Sequence, residues 1–181
     1  PEGRRLFPSL SVEENLLIGG QNAGGGDFGD RLDGLIARLT GRTDPSTLAA
    51  GHDGTGYWTL DTIYELFRIL GERRHNPGTA LSGGQQQMVA IGRAQMSNPD
   101  VLLCDELSLG LAPVVISDIY GALPKIKESG ASVIVVEQDI GQAMKVADRV
   151  YCMMEGRITL SGRPDELSRE AIHEAYFGAA A

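Results

Sequence analysis

The chain has 181 residues, 42% hydrophobic and 22% charged, a balance that suits a soluble globular domain with a full core and excludes a disordered or fibrous chain. A formal net charge of −8 argues against nucleic acid bound through broad charge neutralisation, which needs a basic face. No apolar run approaches the roughly 20 residues that cross a bilayer, so any membrane role is expected to be peripheral. Cys104 and Cys152 lie inside apolar runs, with neither metal-ligand spacing nor a disulfide framework, and read as buried thiols in a reducing compartment.

The chain opens on PEGRRLFPSLSVEENLL, with no initiator Met and no element leading in, and is expected to be cut from something longer. Ser11 reads as the N-cap of a first helix, and Glu14 three residues on closes a capping box. GGQNAGGGDFGDRLDG is glycine-dense and reads as a flexible loop; the stretch up to Trp58 carries little pattern. TLDTIYELFRILGERR recovers helical spacing, with Leu60, Ile63, Phe67 and Leu70 on one face. These segments imply a small helical subdomain with a loose insertion.

From LSGGQ onward the pattern alternates helix and strand. A helix is expected from about Gly84 to Met96, ending before Pro99. VLLC reads as a strand buried on both faces of a parallel sheet. A helix follows from Pro113 through Lys127, then the strand SVIVV, a helix over 139–147, the strands RVYCMM and RITLSG around EGR, and a C-terminal helix within PDELSREAIHEAYF. The order implies an α/β fold, divided into residues 1–98 with the helical subdomain and residues 99–181 with the α/β core.

The chemistry falls at the element ends. LSGGQQQ opens a helix, where unpaired N–H groups and the positive dipole end favour an anion. Asp105 and Glu106 follow the apolar strand at the edge where open α/β sheets bind ligands. The first acid can hold Mg²⁺ through water and the second can deprotonate an attacking water. Taken alone, the pair serves equally well as a cap for the next helix, and Glu137, Gln138 and Asp139 after SVIVV read first as a turn and cap.

In series, LSGGQ, VLLCDE, SLGLAP and VIVVEQD resemble the ATP-binding cassette family over nearly the whole chain. PEGRR, VEENLL, YELF, ERR, AIGRA and VEQ are similar to the ATPase subunits of branched-chain amino acid importers. The resemblance implies a partial P-loop NTPase fold that binds ATP and Mg²⁺. In it Ser82, Gly83, Gly84 and Gln85 form the signature that meets the γ-phosphate of ATP on the opposite subunit. Asp105 is the Walker B magnesium acid and Glu106 the catalytic base. Ser108 and Gly110 belong to the D-loop, Gln138 stands at the switch position, and Glu2 stands at the Q-loop position that couples nucleotide to the membrane.

Two features depart from the family pattern. Leu107 stands where a proline is expected, which would loosen the backbone that aims Glu106. No glycine is followed by lysine, so the sequence holds no G-x-x-x-x-G-K-[ST] phosphate loop, and this chain alone is expected to hold nucleotide weakly. The resemblance implies a second ATPase subunit, as homodimer or heterodimer, and transmembrane permease subunits as partners. A periplasmic binding protein would take part indirectly and nucleic acid not at all, and the chain would sit on the cytoplasmic face of the bacterial inner membrane. Urea or a short amide is the alternative solute. A non-catalytic module lending its signature to a partner is the alternative role.

Overall fold

The structure, a computed structural model, describes residues 6–20 and 58–177. Glu2, the glycine-dense stretch and the segment before Trp58 lie outside the described residues. The chain divides into two compact units, Pro1–Ile134 and Val135–Ala181.

The first unit begins with α1 (Val12–Gly20), which starts at the expected Ser11. The stretch expected as one helix is broken into α2 (Leu60–Leu66) and α3 (Arg68–Glu72). The break falls at Phe67, whose φ of −130° leaves the helical region while its N–H still donates to the Ile63 carbonyl. Phe67 remains 4% exposed and Leu70 fully buried, so the break turns the chain without giving up the apolar face. A short 3₁₀ turn (Gly78–Ala80) leads to α4 (Gly83–Gln95), then β1 (Val101–Asp105), α5 (Pro113–Glu128) and β2 (Ser132–Val136), which runs across the division between units.

The core of this unit is the crossing of α1, α2, α3 and α4. Val12, Leu16, Ile63, Leu70 and Val89 are all fully buried. Gly92 makes the crossing close: a Cβ there would lie 2.8 Å from Leu16 and 2.9 Å from Ile63. Two amides share this interior. Asn15 accepts from the Phe7 N–H through Oδ1 and donates through Nδ2 to the carbonyls of Phe7, Leu10 and Ser11. Gln95, equally buried, has no hydrogen-bond partner at Oε1 or Nε2. Trp58 ties distant segments together, its backbone N–H donating to Asn98 Oδ1 and its indole N–H to Ser129 Oγ.

β1 and β2 are hydrogen-bonded neighbours. β1 is buried on one face only: Leu102 and Cys104 are 5% exposed, but Leu103 between them is 60% exposed. The apolar run therefore does not mark a strand covered on both faces here, because successive side chains point to opposite sides and only one side meets the core. Burial pushes the Cys104 thiol up to about 12, which makes it an inert packing group.

The second unit holds the end of β2, then α6 (Ile140–Val146), β3 (Val150–Met154), β4 (Arg157–Gly162) and α7 (Arg169–Phe177). β3 and β4 form an antiparallel hairpin closed by Glu155 and Gly156, both at positive φ (50° and 75°), the geometry that two-residue hairpin turns require. α7 lies on the hairpin, where Thr159 Oγ1 donates to the Ala175 carbonyl.

Candidate functional site

The start of α4 is built by a reciprocal exchange. The Gln85 N–H donates to Ser82 Oγ, and the Ser82 N–H donates back to Gln85 Oε1. Ser82 sits at φ −64° and ψ 160°, the extended conformation of an N-cap, so the helix begins at Gly83 rather than Gly84. The N–H groups of Gly83 and Gly84 lie outside this exchange, and no hydrogen bond claims them among the described residues. They are two of the four donors that a helix start cannot pair internally. Ser82 is exposed and Gly83 half-buried, so the first of these donors is open to an incoming anion at the positive end of a three-turn helix.

Gly84 is itself buried, and a Cβ there would collide with Val115 in the first turn of α5. Its glycine is thus accounted for by helix packing as well as by any phosphate. The same contact places the start of α4 against the start of α5, which emerges from the segment 106–112. The turn before the signature is held by Gln86, whose Nε2 donates to the carbonyls of Gly78 and Leu81. Sequence reading passed over Gln86, because one glutamine in a run of three carries no local signal.

At the end of β1, Asp105 is exposed and Glu106 half-exposed. Glu106 has a φ of 49°, so the chain turns sharply as it leaves the strand. The Leu109 N–H donates to the Glu106 carbonyl and the Leu111 N–H to the Ser108 carbonyl, closing two successive turns, and Gly110 takes a φ of 68°. Ser108 and Gly110 both lie in this paired turn. Gln138, exposed, follows β2 in the second unit, two residues before α6, whose N-cap Asp139 accepts from the Gln142 N–H. Glu2 lies outside the described residues.

Among the described residues no group of three or more His, Cys, Asp or Glu side chains is placed to hold a metal alone. An exposed Asp105 matches the habit of Mg²⁺, which takes one or two carboxylates and completes its shell with phosphate oxygens and water. No helix of the described residues is long and apolar enough to cross a membrane.

Comparison with known proteins bears on this arrangement. The model of the ABC transporter family matches residues 1–108, more than half of the chain. The high-affinity branched-chain amino acid transport ATP-binding protein BraG of Pseudomonas aeruginosa is 39% identical over 98% of this chain and 65% of its own length. The probable branched-chain amino acid transport ATP-binding protein LivG of Methanocaldococcus jannaschii is 30% identical over 93% of this chain and 62% of its own. The chain thus spans somewhat under two thirds of the length of these relatives. A solved nucleotide-free ATP-binding cassette from an ABC transporter superposes with a TM-score of 0.63 at 27% identity, over 93% of this chain and 60% of that one. A cassette in its ADP conformation superposes with a TM-score of 0.61 at 27% identity, over 93% and 59%. The α/β architecture expected from the alternation of elements is therefore the cassette fold in part, and the chain belongs to the ABC transporter family.

Proposed function

We propose that this chain supplies the signature, magnesium acid and catalytic base of an ATPase that energises an importer of branched-chain amino acids. The observation that carries the reading is the start of α4, where a capping box leaves the Gly83 and Gly84 N–H groups unclaimed beside an exposed Ser82. The solute follows from the likeness to BraG.

Asp105 would hold the magnesium ion through water, with ATP oxygens completing the shell. The ion supplies charge neutralisation on the β- and γ-phosphates when bound. Glu106 orients the attacking water and takes its proton. Ser82 and Gly83, with the helix dipole behind them, meet the γ-phosphate of ATP held by a second ATPase subunit; Gln85 locks the cap that aims them, and Gly84 lets α4 sit close on α5. Ser108 and Gly110 face that same subunit, Gln138 responds to the γ-phosphate, and Glu2 relays the state of the site to permease subunits in the membrane. A binding protein on the far side of the membrane would act only through the permease. The chain would then work at the cytoplasmic face of a bacterial inner membrane.

The test is Glu106→Gln in the full-length subunit, which removes the base but little volume. ATP hydrolysis is expected to fall roughly 10²-fold or more while ATP binding is retained. Hydrolysis at the wild-type rate would remove Glu106 from this role.

A further inference from the structure

α5 is one continuous helix of 16 residues whose two halves are held differently. In the entry half, residues 113–118, no residue is buried, and Val115 meets the start of α4 at Gly84. In the exit half Ile119, Tyr120, Ala122, Leu123 and Ile126 are all buried, and Ser129 at the C-cap accepts from the Trp58 indole N–H. One end of the helix therefore follows the signature, and the other is fixed to the core. Within the exit half, the exposed side carries the two residues least suited to a helix interior. Gly121 is exposed and a Cβ there would meet nothing within 4 Å; Pro124, three residues on and on the same side, is exposed as well.

Gly121 makes room for no neighbour and Pro124 faces solvent, so packing accounts for neither. Both weaken the helix from within. Glycine leaves the backbone freer than alanine would, and Pro124 has no N–H to give to the Tyr120 carbonyl one turn back. We infer that α5 bends at Gly121 and Pro124, and that the bend is a conformational device: the entry half swings with the start of α4 while the rest stays seated on the core. Segment 106–112, which leads into α5, moves with that entry half, so the signature and the turn carrying Ser108 and Gly110 shift together. The inference rests on the proposed function, in which these two segments close on a second ATPase subunit.

The experiment compares the full-length subunit with a double variant, Gly121→Ala with Pro124→Ala, by amide hydrogen exchange, thermal melting and ATP-driven dimer closure. In the wild type, the amides of Gly121, Ala122, Leu123 and Lys125 should exchange faster than those of Ile119 and Ile126. In the double variant that difference should vanish, and Tm should rise by about 5 °C or more. Closure and kcat should nevertheless fall about 3-fold or more, because the stiffened helix no longer follows the signature. A merely structural role would not make the more stable protein the slower one. Ser117→Ala, on the exposed side of α5 but ahead of the bend, should raise stability slightly and leave closure unchanged. Uniformly slow exchange along wild-type α5 would mark a static kink and overturn the inference, as would unchanged closure in a stabilised double variant. If the wild-type subunit shows no ATP-driven closure, the proposed function falls, while the exchange pattern and the melting shift still test the bend.

Discussion

At the start of α1, Ser11 and Glu14 make the same exchange as Ser82 and Gln85 at the start of α4: serine oxygen to the third N–H, longer side chain back to the cap N–H. What surrounds the two caps differs. The remaining first-turn donors of α1 are taken by the chain itself, the Val12 N–H by the Asn76 carbonyl and the Glu13 N–H by the Arg74 carbonyl. Those of α4, on Gly83 and Gly84, are unclaimed among the described residues, and the half-buried Gly83 leaves the first of them open. One motif therefore yields a sealed structural joint in one place and a candidate anion seat in the other, and what separates the two is which donors remain unclaimed rather than the motif. The acids differ in the same sense. α1 uses a carboxylate, held below its ordinary range by the Ser11 backbone N–H and hydroxyl, whereas α4 uses a neutral amide that adds no negative charge beside a phosphate.

The largest effect should come from unsealing α1. Asn15→Ala strands the Phe7 N–H and the carbonyls of Phe7 and Leu10 next to the cap, and unfolding by urea should show a loss of about 3 kcal/mol. A loss below 1 kcal/mol would mean that water replaces these bonds and that the joint is less sealed than described.

Next is Gly84→Ala, which pushes a methyl group into Val115 and should cost about 2 kcal/mol. Adding Val115→Ala should recover most of that cost. If the double variant is no better than the single one, Gly84 answers to something other than α5.

The two caps should then separate stability from function. Ser11→Ala and Ser82→Ala should each cost about 1 kcal/mol of stability, since each removes one cap acceptor. Only Ser82→Ala should alter ATP-driven dimer closure in the full-length protein. Equal effects of both on closure would erase the contrast between the helix starts.

The smallest effect concerns pH. Because Glu14 is held below its ordinary value of 4.5, its contribution is fully present above that pH and fades as pH falls through the lowered value. Glu14→Gln should therefore melt earlier than wild type at neutral pH, and the difference should vanish in acid. Gln85, uncharged, gives α4 no such dependence, so a Gln85→Ala difference that also vanished in acid would contradict the pairing.

The legible parts of this molecule are those set by neighbours in sequence. The strands Ser132–Val136 and Arg157–Gly162, the caps at Ser11 and Asp139 and the hairpin turn at Glu155–Gly156 follow from alternation, capping residues and glycine, all within a few positions. The parts that were not legible depend on distant chain. Leu103 looked buried because it is apolar, yet its exposure is decided by what lies across the sheet face. The break at Phe67 keeps the expected residues inside while changing the backbone, which a helical periodicity cannot register. At the site, the residue types of Ser82, Asp105 and Glu106 were readable. The collision that demands glycine at 84 was not, because Val115 is remote in sequence. Nor was the left-handed Glu106, since nothing in a glutamate announces a positive φ.

Trp58 gives the chain a built-in optical reporter. It is the sole tryptophan, 6% exposed, with its indole N–H bound to Ser129 at the end of α5 and its backbone to Asn98 just after α4. Its fluorescence therefore reports one place only, the seam where the exits of two helices are tied to the entry of α2. An emission shift to the red before the far-ultraviolet helix signal decays would show that this seam opens ahead of the helices it joins, with no label attached.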